Sequence, residues 1–139
     1  MTYTKYSASG NDFVIFHTFL EKDYTNDAIK LCNRTEGIGA DGLVVIVPSN
    51  DADFKWLFYN SDGSYASMCG NATRAVSHYA FSNNLVTSNE MEFLTGAGLI
   101  KSCVENDIVE TQLTASKVIK EEFVQDGFTW YLVDTGVPH

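Results

Sequence analysis

The chain has 139 residues, 45% hydrophobic and 13% aromatic, which suits one globular domain and is too apolar for a disordered segment. Its 18 acidic residues outnumber its 9 basic ones, giving a net charge of −9. A surface that acidic repels phosphate backbones and anionic lipid, which argues against nucleic-acid and membrane partners but not against a small zwitterionic molecule. With no apolar run of membrane-spanning length and no basic-then-apolar leader over Met1 to Gly10, the expectation is a cytoplasmic protein.

Short continuous apolar runs rich in β-branched and aromatic residues predict strands at Phe13–Phe16 and Leu43–Val47, each bounded by Gly, Asn, Asp or Pro. Between them, Asn26 to Asn33 reads as a short helix with Thr25 as its cap and Ala28, Leu31 and Cys32 at helical spacing. A further strand is expected at Phe54–Tyr59. Met68 to about Ser82 then reads as the main helix: Met68, Ala72, Ala75, Val76, Tyr79 and Ala80 form a stripe of mostly small residues that can sit close against a sheet. Asn83-Asn84 supplies its stop. Two hairpins follow, Leu99–Val104 with Ile108–Leu113 across Glu105-Asn106-Asp107, and Glu122–Gln125 with Phe128–Val133 across Asp126-Gly127. The segment after Thr114 has its own pattern, which suggests a first unit over 1–113 and the start of a second over 114–139. Because the closing residues Tyr131 to His139 form an apolar strand and a turn, the chain reads as a piece of a longer protein.

Three clusters of Gly, Asn and Asp interrupt the apolar runs: Ser9-Gly10-Asn11-Asp12, Gly37-Ile38-Gly39-Ala40-Asp41-Gly42, and Asn60-Ser61-Asp62-Gly63-Ser64 leading into Met68-Cys69-Gly70-Asn71. Any one of them alone reads as a turn. The second lacks G-x-G-x-x-G spacing and precedes a strand instead of opening a helix, so it is no dinucleotide loop. The three cysteines, Cys32, Cys69 and Cys103, are odd in number, far apart and without a C-x-x-C pair, which excludes a disulfide framework and a zinc knuckle. Cys32 on an apolar helix face and Cys103 inside a strand read as small buried hydrophobes. Cys69 stands differently, at the opening of the main helix with Gly70 and Asn71 behind it. There the unpaired N–H groups and the helix dipole favour a thiolate, usable as base or nucleophile, and the same N–H groups could hold a substrate carboxylate. His17 and His78 read as surface or packing residues. His139 is either a stray terminal residue or the stub of a site completed further on. Arg74, three residues after Asn71, could brace a carboxylate or pair with an acidic side chain.

Taken together, these blocks resemble the diaminopimelate epimerases: Ser9 to Val14, Asn33-Arg34 with Gly37 to Leu43, and Asn60 to Ser64 with Met68 to Asn71 occur in that family's order and approximate spacing. The Cys69 block is the most specific part, and the likeness runs over essentially the whole chain. The resemblance implies an α+β fold, a mixed and largely antiparallel sheet curled around a central helix, repeated in two lobes with the substrate between them. It implies interconversion of LL- and meso-diaminopimelate with no cofactor and no metal, by one cysteine from each lobe. By that carry-over Cys69 is the first catalytic cysteine, Asn11 and Asn60 bind substrate, and Gly70 and Asn71 offer N–H groups to its α-carboxylate. Ala72, Gly42 and Val137 depart from the family's usual glycine, glutamine and asparagine. No second cysteine block follows, so the chain alone is expected to be inactive, and an exposed lobe interface would let it form a homodimer. Two other readings stay open: a proline racemase-like or phenazine-type isomerase of the same architecture, and a non-catalytic domain with an inert Cys69.

Overall fold

A computed structural model describes residues 2–136 and Pro138. Seven strands, β1 (Thr4–Ala8), β2 (Asn11–His17), β3 (Gly42–Val47), β4 (Phe54–Asn60), β5 (Glu90–Thr95), β6 (Gly98–Glu105) and β7 (Ile108–Gln112), lie side by side in chain order in one mixed sheet. The β2–β3 and β4–β5 pairs are parallel and the rest antiparallel. Two helices cover the sheet, α1 (Thr25–Cys32) and α2 (Gly70–Ser82). A separate hairpin pairs β8 (Lys117–Gln125) with β9 (Phe128–Asp134).

Residue alternation decides the layering. Along β2 and β3, Phe13, Ile15, Val44 and Ile46 pack with α2, while Val14, Phe16, Leu43, Val45 and Val47 pack with Tyr24, Ala28 and Cys32 around α1. Strands buried on both faces need apolar residues at every position, which is why these two read as unbroken runs. β6 has only one covered face, so Ile100, Ser102 and Val104 are buried and their neighbours are not.

The small-residue stripe of α2 explains the curvature. This helix touches β1 and β2 at one end of the strand order and β6 and β7 at the other. Seven strands laid flat span roughly 30 Å, several times the reach of one helix about 10 Å across, so contact with both ends requires a sheet curled around it. Enclosure buries seven of the thirteen residues of the helix, including Thr73 and Ser77. Their hydroxyls are satisfied locally, Thr73 donating to the Gly70 carbonyl at 2.7 Å and Ser77 to the Thr73 carbonyl at 2.7 Å.

Several expectations need correction. α2 starts at Gly70 and not at Met68, with Cys69 as its N-cap residue, although Met68 is still buried against the same core. Thr25 does not cap α1: Tyr24 holds that position, and Asp23 accepts from the Thr25 N–H and hydroxyl at 2.9 and 2.7 Å. β1 and β5 were not foreseen. The Asp126-Gly127 turn agrees with the sequence: both residues have positive φ, of 55° and 78°, which aspartate tolerates and glycine, lacking a Cβ, adopts freely. Val137 and His139 lie outside the described residues. Among the described residues no helix is long and apolar enough to cross a membrane, and no cluster of side chains is arranged to hold a metal ion.

Candidate active site

Each of the three Gly/Asn/Asp clusters is a turn, and each also delivers one residue to the same place. Ser9 and Gly10, both at positive φ, form the two-residue turn between Ala8 and Asn11 and so put Asn11 at the start of β2. The loop after α1 returns tightly: a Cβ on Gly37 would lie 2.2 Å from the Lys30 carbonyl oxygen, so only glycine allows the approach that brings Asp41 to the start of β3. The turn after β4 closes on itself through Asn60 and Ser64, whose backbones and side chains bond at 2.8 and 2.9 Å. Asn11, Asp41 and Asn60 then line one cavity of about 310 Å³ with Cys69, Phe13, Phe58, Ala66 and Met68. That is the lower end of the range for small-molecule pockets, roughly 300–1,000 Å³.

Cys69 is half-buried at the N-cap of α2 in extended conformation, with φ −155° and ψ 118°. The first intrahelical bond of α2 runs from the Thr73 N–H to the Cys69 carbonyl at 3.0 Å, so the N–H groups of Gly70, Asn71 and Ala72 precede the helical ladder. The sulfur also has a side-chain partner, with Cys69 Sγ 3.6 Å from Asn11 Oδ1. Asn71 Nδ2 donates to the same oxygen at 3.3 Å. Thus five of the seven expected site residues, Cys69, Asn11, Asn60, Gly70 and Asn71, gather at one end of α2. Arg74 stands behind them. It donates to Asn71 Oδ1 and, at 3.2 Å, to the Ser9 hydroxyl, and among the described residues it pairs with no acidic side chain, which corrects one of the two uses expected for it. The seventh, His139, lies outside the described residues.

An ionic knot behind the cavity was not foreseen from the sequence. The parallel pairing of Phe13 with Gly42 sets Asp12 and Asp41 side by side at the starts of two strands. Arg34 binds Asp12 through both ends of its guanidinium, at 3.0 and 2.8 Å, and Asp41 at 2.8 Å. Lys5 adds a fourth charge, 3.2 Å from Asp12. Hydrogen bonding to Arg34 holds the Asp12 carboxyl far below the usual carboxylate range. Asp12 and Asp41 each stand one or two positions ahead of an apolar run, but only the parallel pairing of the two runs brings them together.

Of the other two thiols Cys32 is the buried core side chain expected, whereas Cys103 is only half-buried, because it faces away from α2 on a strand covered on one side. Burial, reinforced by the negative charges of Asp12 and Asp41, pushes Cys32 up to about 11, so it stays a neutral core side chain. Cys103 sits in β6 beside Asn89. His17 Nδ1 is 2.8 Å from the Tyr79 hydroxyl and His78 Nδ1 is 3.0 Å from that of Tyr6, which makes both histidines packing residues.

With this geometry in hand, comparison with known proteins is decisive about ancestry. The sequence model of the family described as diaminopimelate epimerase matches residues 3–119. The chain belongs to the diaminopimelate epimerase family. Curated diaminopimelate epimerases from Nitratiruptor sp. and Campylobacter lari are each 56% identical to it over 139 residues, and that from Helicobacter pylori is 46% identical. In each case the whole chain is covered but only 55–56% of the relative, so the chain spans about half the length of the curated relatives it matches. Among solved structures, a probable proline racemase from Agrobacterium radiobacter superposes on 98% of the chain and 49% of its own, with a TM-score of 0.78 and 12% identity. A hydroxyproline epimerase from Agrobacterium vitis has a TM-score of 0.68 at 13% identity, covering 98% of the chain and 49% of its own. At such identities the likeness is one of fold, and it agrees with the curled α+β architecture of the diaminopimelate epimerase family.

Proposed function

We propose that this chain is one lobe, with the opening of the next, of a cytoplasmic diaminopimelate epimerase that interconverts LL- and meso-diaminopimelate without a cofactor. Residues 1–113 form the lobe and 114–139 begin its counterpart. The observation that carries the proposal is a half-buried sulfur at the tip of the enclosed helix α2, facing a cavity that two asparagines from separate loops also line.

Inverting an amino-acid α-carbon needs a base on one face and an acid on the other. Cys69 as thiolate takes the α-proton, and a group from the second lobe returns one to the opposite face. In the reverse direction Cys69 is the acid. A reaction run without a cofactor as electron sink makes the carbanion depend on its carboxylate meeting the N–H groups of Gly70 and Asn71 at the positive end of α2. Asn11 and Asn60 bind the remainder of the substrate. Neither nucleic acid nor membrane is a partner; the homodimer is the assembly to look for.

The test uses a protein of full family length carrying this chain. Cys69→Ala abolishes interconversion of LL- and meso-diaminopimelate, whereas near-normal turnover removes Cys69 from the reaction. Faster turnover of proline than of LL-diaminopimelate would move the protein to the proline racemase branch. The 139-residue chain alone does not invert the α-carbon, having an acid or base on one face only.

A further inference from the structure

The side-chain amides around Cys69 are not free to choose which end they present. Asp41 Oδ2 receives Asn11 Nδ2 at 2.7 Å and the Asp12 N–H at 3.1 Å, while Oδ1 receives Arg34 at 2.8 Å. A carboxylate can only accept, so the Asn11 amide must turn its NH2 to Asp41 and its carbonyl to Cys69. From the other side, Arg74 can only donate, so Asn71 must turn its carbonyl to Arg74 and its NH2 to Asn11. Two ions of opposite sign thus impose one direction on the chain Arg74–Asn71–Asn11–Asp41. Both make Asn11 Oδ1 the acceptor that stands 3.6 Å from the sulfur. The acceptor suits S–H and opposes S⁻, in contrast to the helix tip, which favours the anion.

We propose that Asp41 is a positioning residue that locks the Asn11 carbonyl toward Cys69, so that this cysteine rests as a thiol donating to Asn11 until substrate takes over the asparagine. This deepens the proposed function, since it assigns the protonation state in which the Cys69 side of the reaction waits. The charged groups around the lock are Asp41 and Asp12 at the starts of β3 and β2, Lys5 of β1, Arg34 after α1 and Arg74 of α2.

Asp41→Asn removes one of the two arms of the lock. Its new amide keeps its carbonyl on Arg34, where the charge-assisted bond is strongest, and presents NH2 toward Asn11, so that only Arg74, acting through Asn71, still directs the Asn11 carbonyl to the sulfur. In the 139-residue chain, Cys69 alkylation by iodoacetamide at pH 7, followed by peptide mass spectrometry, is expected to rise about tenfold. The ratio narrows as the pH is raised, because the lock acts only on S–H, and the rise disappears in the Asn11→Ala background. Unreacted Cys32 in the same samples reports an intact fold. An unchanged rate, a rise equal at every pH, or a rise that persists in full without Asn11 overturns the proposal, the last assigning the effect to the lost charge alone. If the variant misfolds, infrared spectroscopy of the unaltered chain decides. An S–H band at pH 7, isolated by difference against Cys69→Ala and shifted as a hydrogen-bonded donor, supports the lock; its absence overturns it. None of these readouts involves turnover, so their failure is separate from that of the epimerase proposal.

Discussion

Gly42 is where the packing of the sheet meets the cavity. A methyl group on its Cα would lie 2.7 Å from Phe58 Cε2 and 2.9 Å from the Tyr59 carbonyl oxygen, where ordinary contact begins at 3.4 Å. The carbonyl belongs to the β3–β4 ladder, in which Gly42 faces Asn60, and cannot retreat without breaking it. The Phe58 ring must therefore yield by most of an ångström, and it lines the cavity beside Cys69. Overpacking of this kind costs about 1–3 kcal/mol. For a chain of this length that lowers Tm by roughly 3–15 °C. Thermal unfolding of Gly42→Ala followed by circular dichroism measures the cost, and the alkylation rate of Cys69 in the same protein reports the ring's new position. An unchanged Tm together with an unchanged alkylation rate would show that the ring moves freely, and the reasoning about Gly42 would fail. The same geometry leaves no room at position 42 for the glutamine that the resemblance led us to expect there: Phe58 fills that space.

Cys32 should alkylate at pH 8 roughly a hundredfold more slowly than it does in urea, because burial suppresses its thiolate; equal rates would contradict its place beneath α1. Asp12 gives the acid response a direction. Its folded-state value lies below the unfolded one, so its contribution is complete above about pH 4 and is lost as pH falls further through the folded-state value. Arg34→Met should flatten that part of the stability curve between pH 5 and 2 measured in urea, and an unaltered curve would contradict the knot's role. Tyr79→Phe removes the hydroxyl that meets His17 and should cost about 1 kcal/mol in urea unfolding, with no change in Cys69 alkylation.

What the sequence disclosed depended on how each element is covered. β2, β3 and β4 are buried on both faces and advertise it as unbroken apolar runs, and α2 shows its enclosure through alanines. β1 is an edge strand whose residues alternate between half-buried and exposed, so Thr4–Ala8 carries little apolar signal. In β5 only Met91 and Phe93 are fully buried, between glutamates, too short an alternation to stand out. Cys69 could be singled out because its chemistry follows from its place at a helix start. The knot of Asp12, Asp41 and Arg34 depends on a parallel pairing between strands separated by a helix, which no local pattern records. The bond from Arg74 to Ser9, 65 positions away in the β1–β2 turn, is hidden for a similar reason.

The central claim is that Cys69 moves the α-hydrogen. Its most direct test is deuterium incorporation with inversion at the α-carbon of LL-diaminopimelate in D2O, catalysed by a full-length protein carrying this chain with Cys69 intact or replaced by alanine. Loss of general acid–base catalysis predicts a fall of roughly 10²–10⁴-fold in the exchange rate. Exchange within a few-fold of the unaltered protein would contradict the claim.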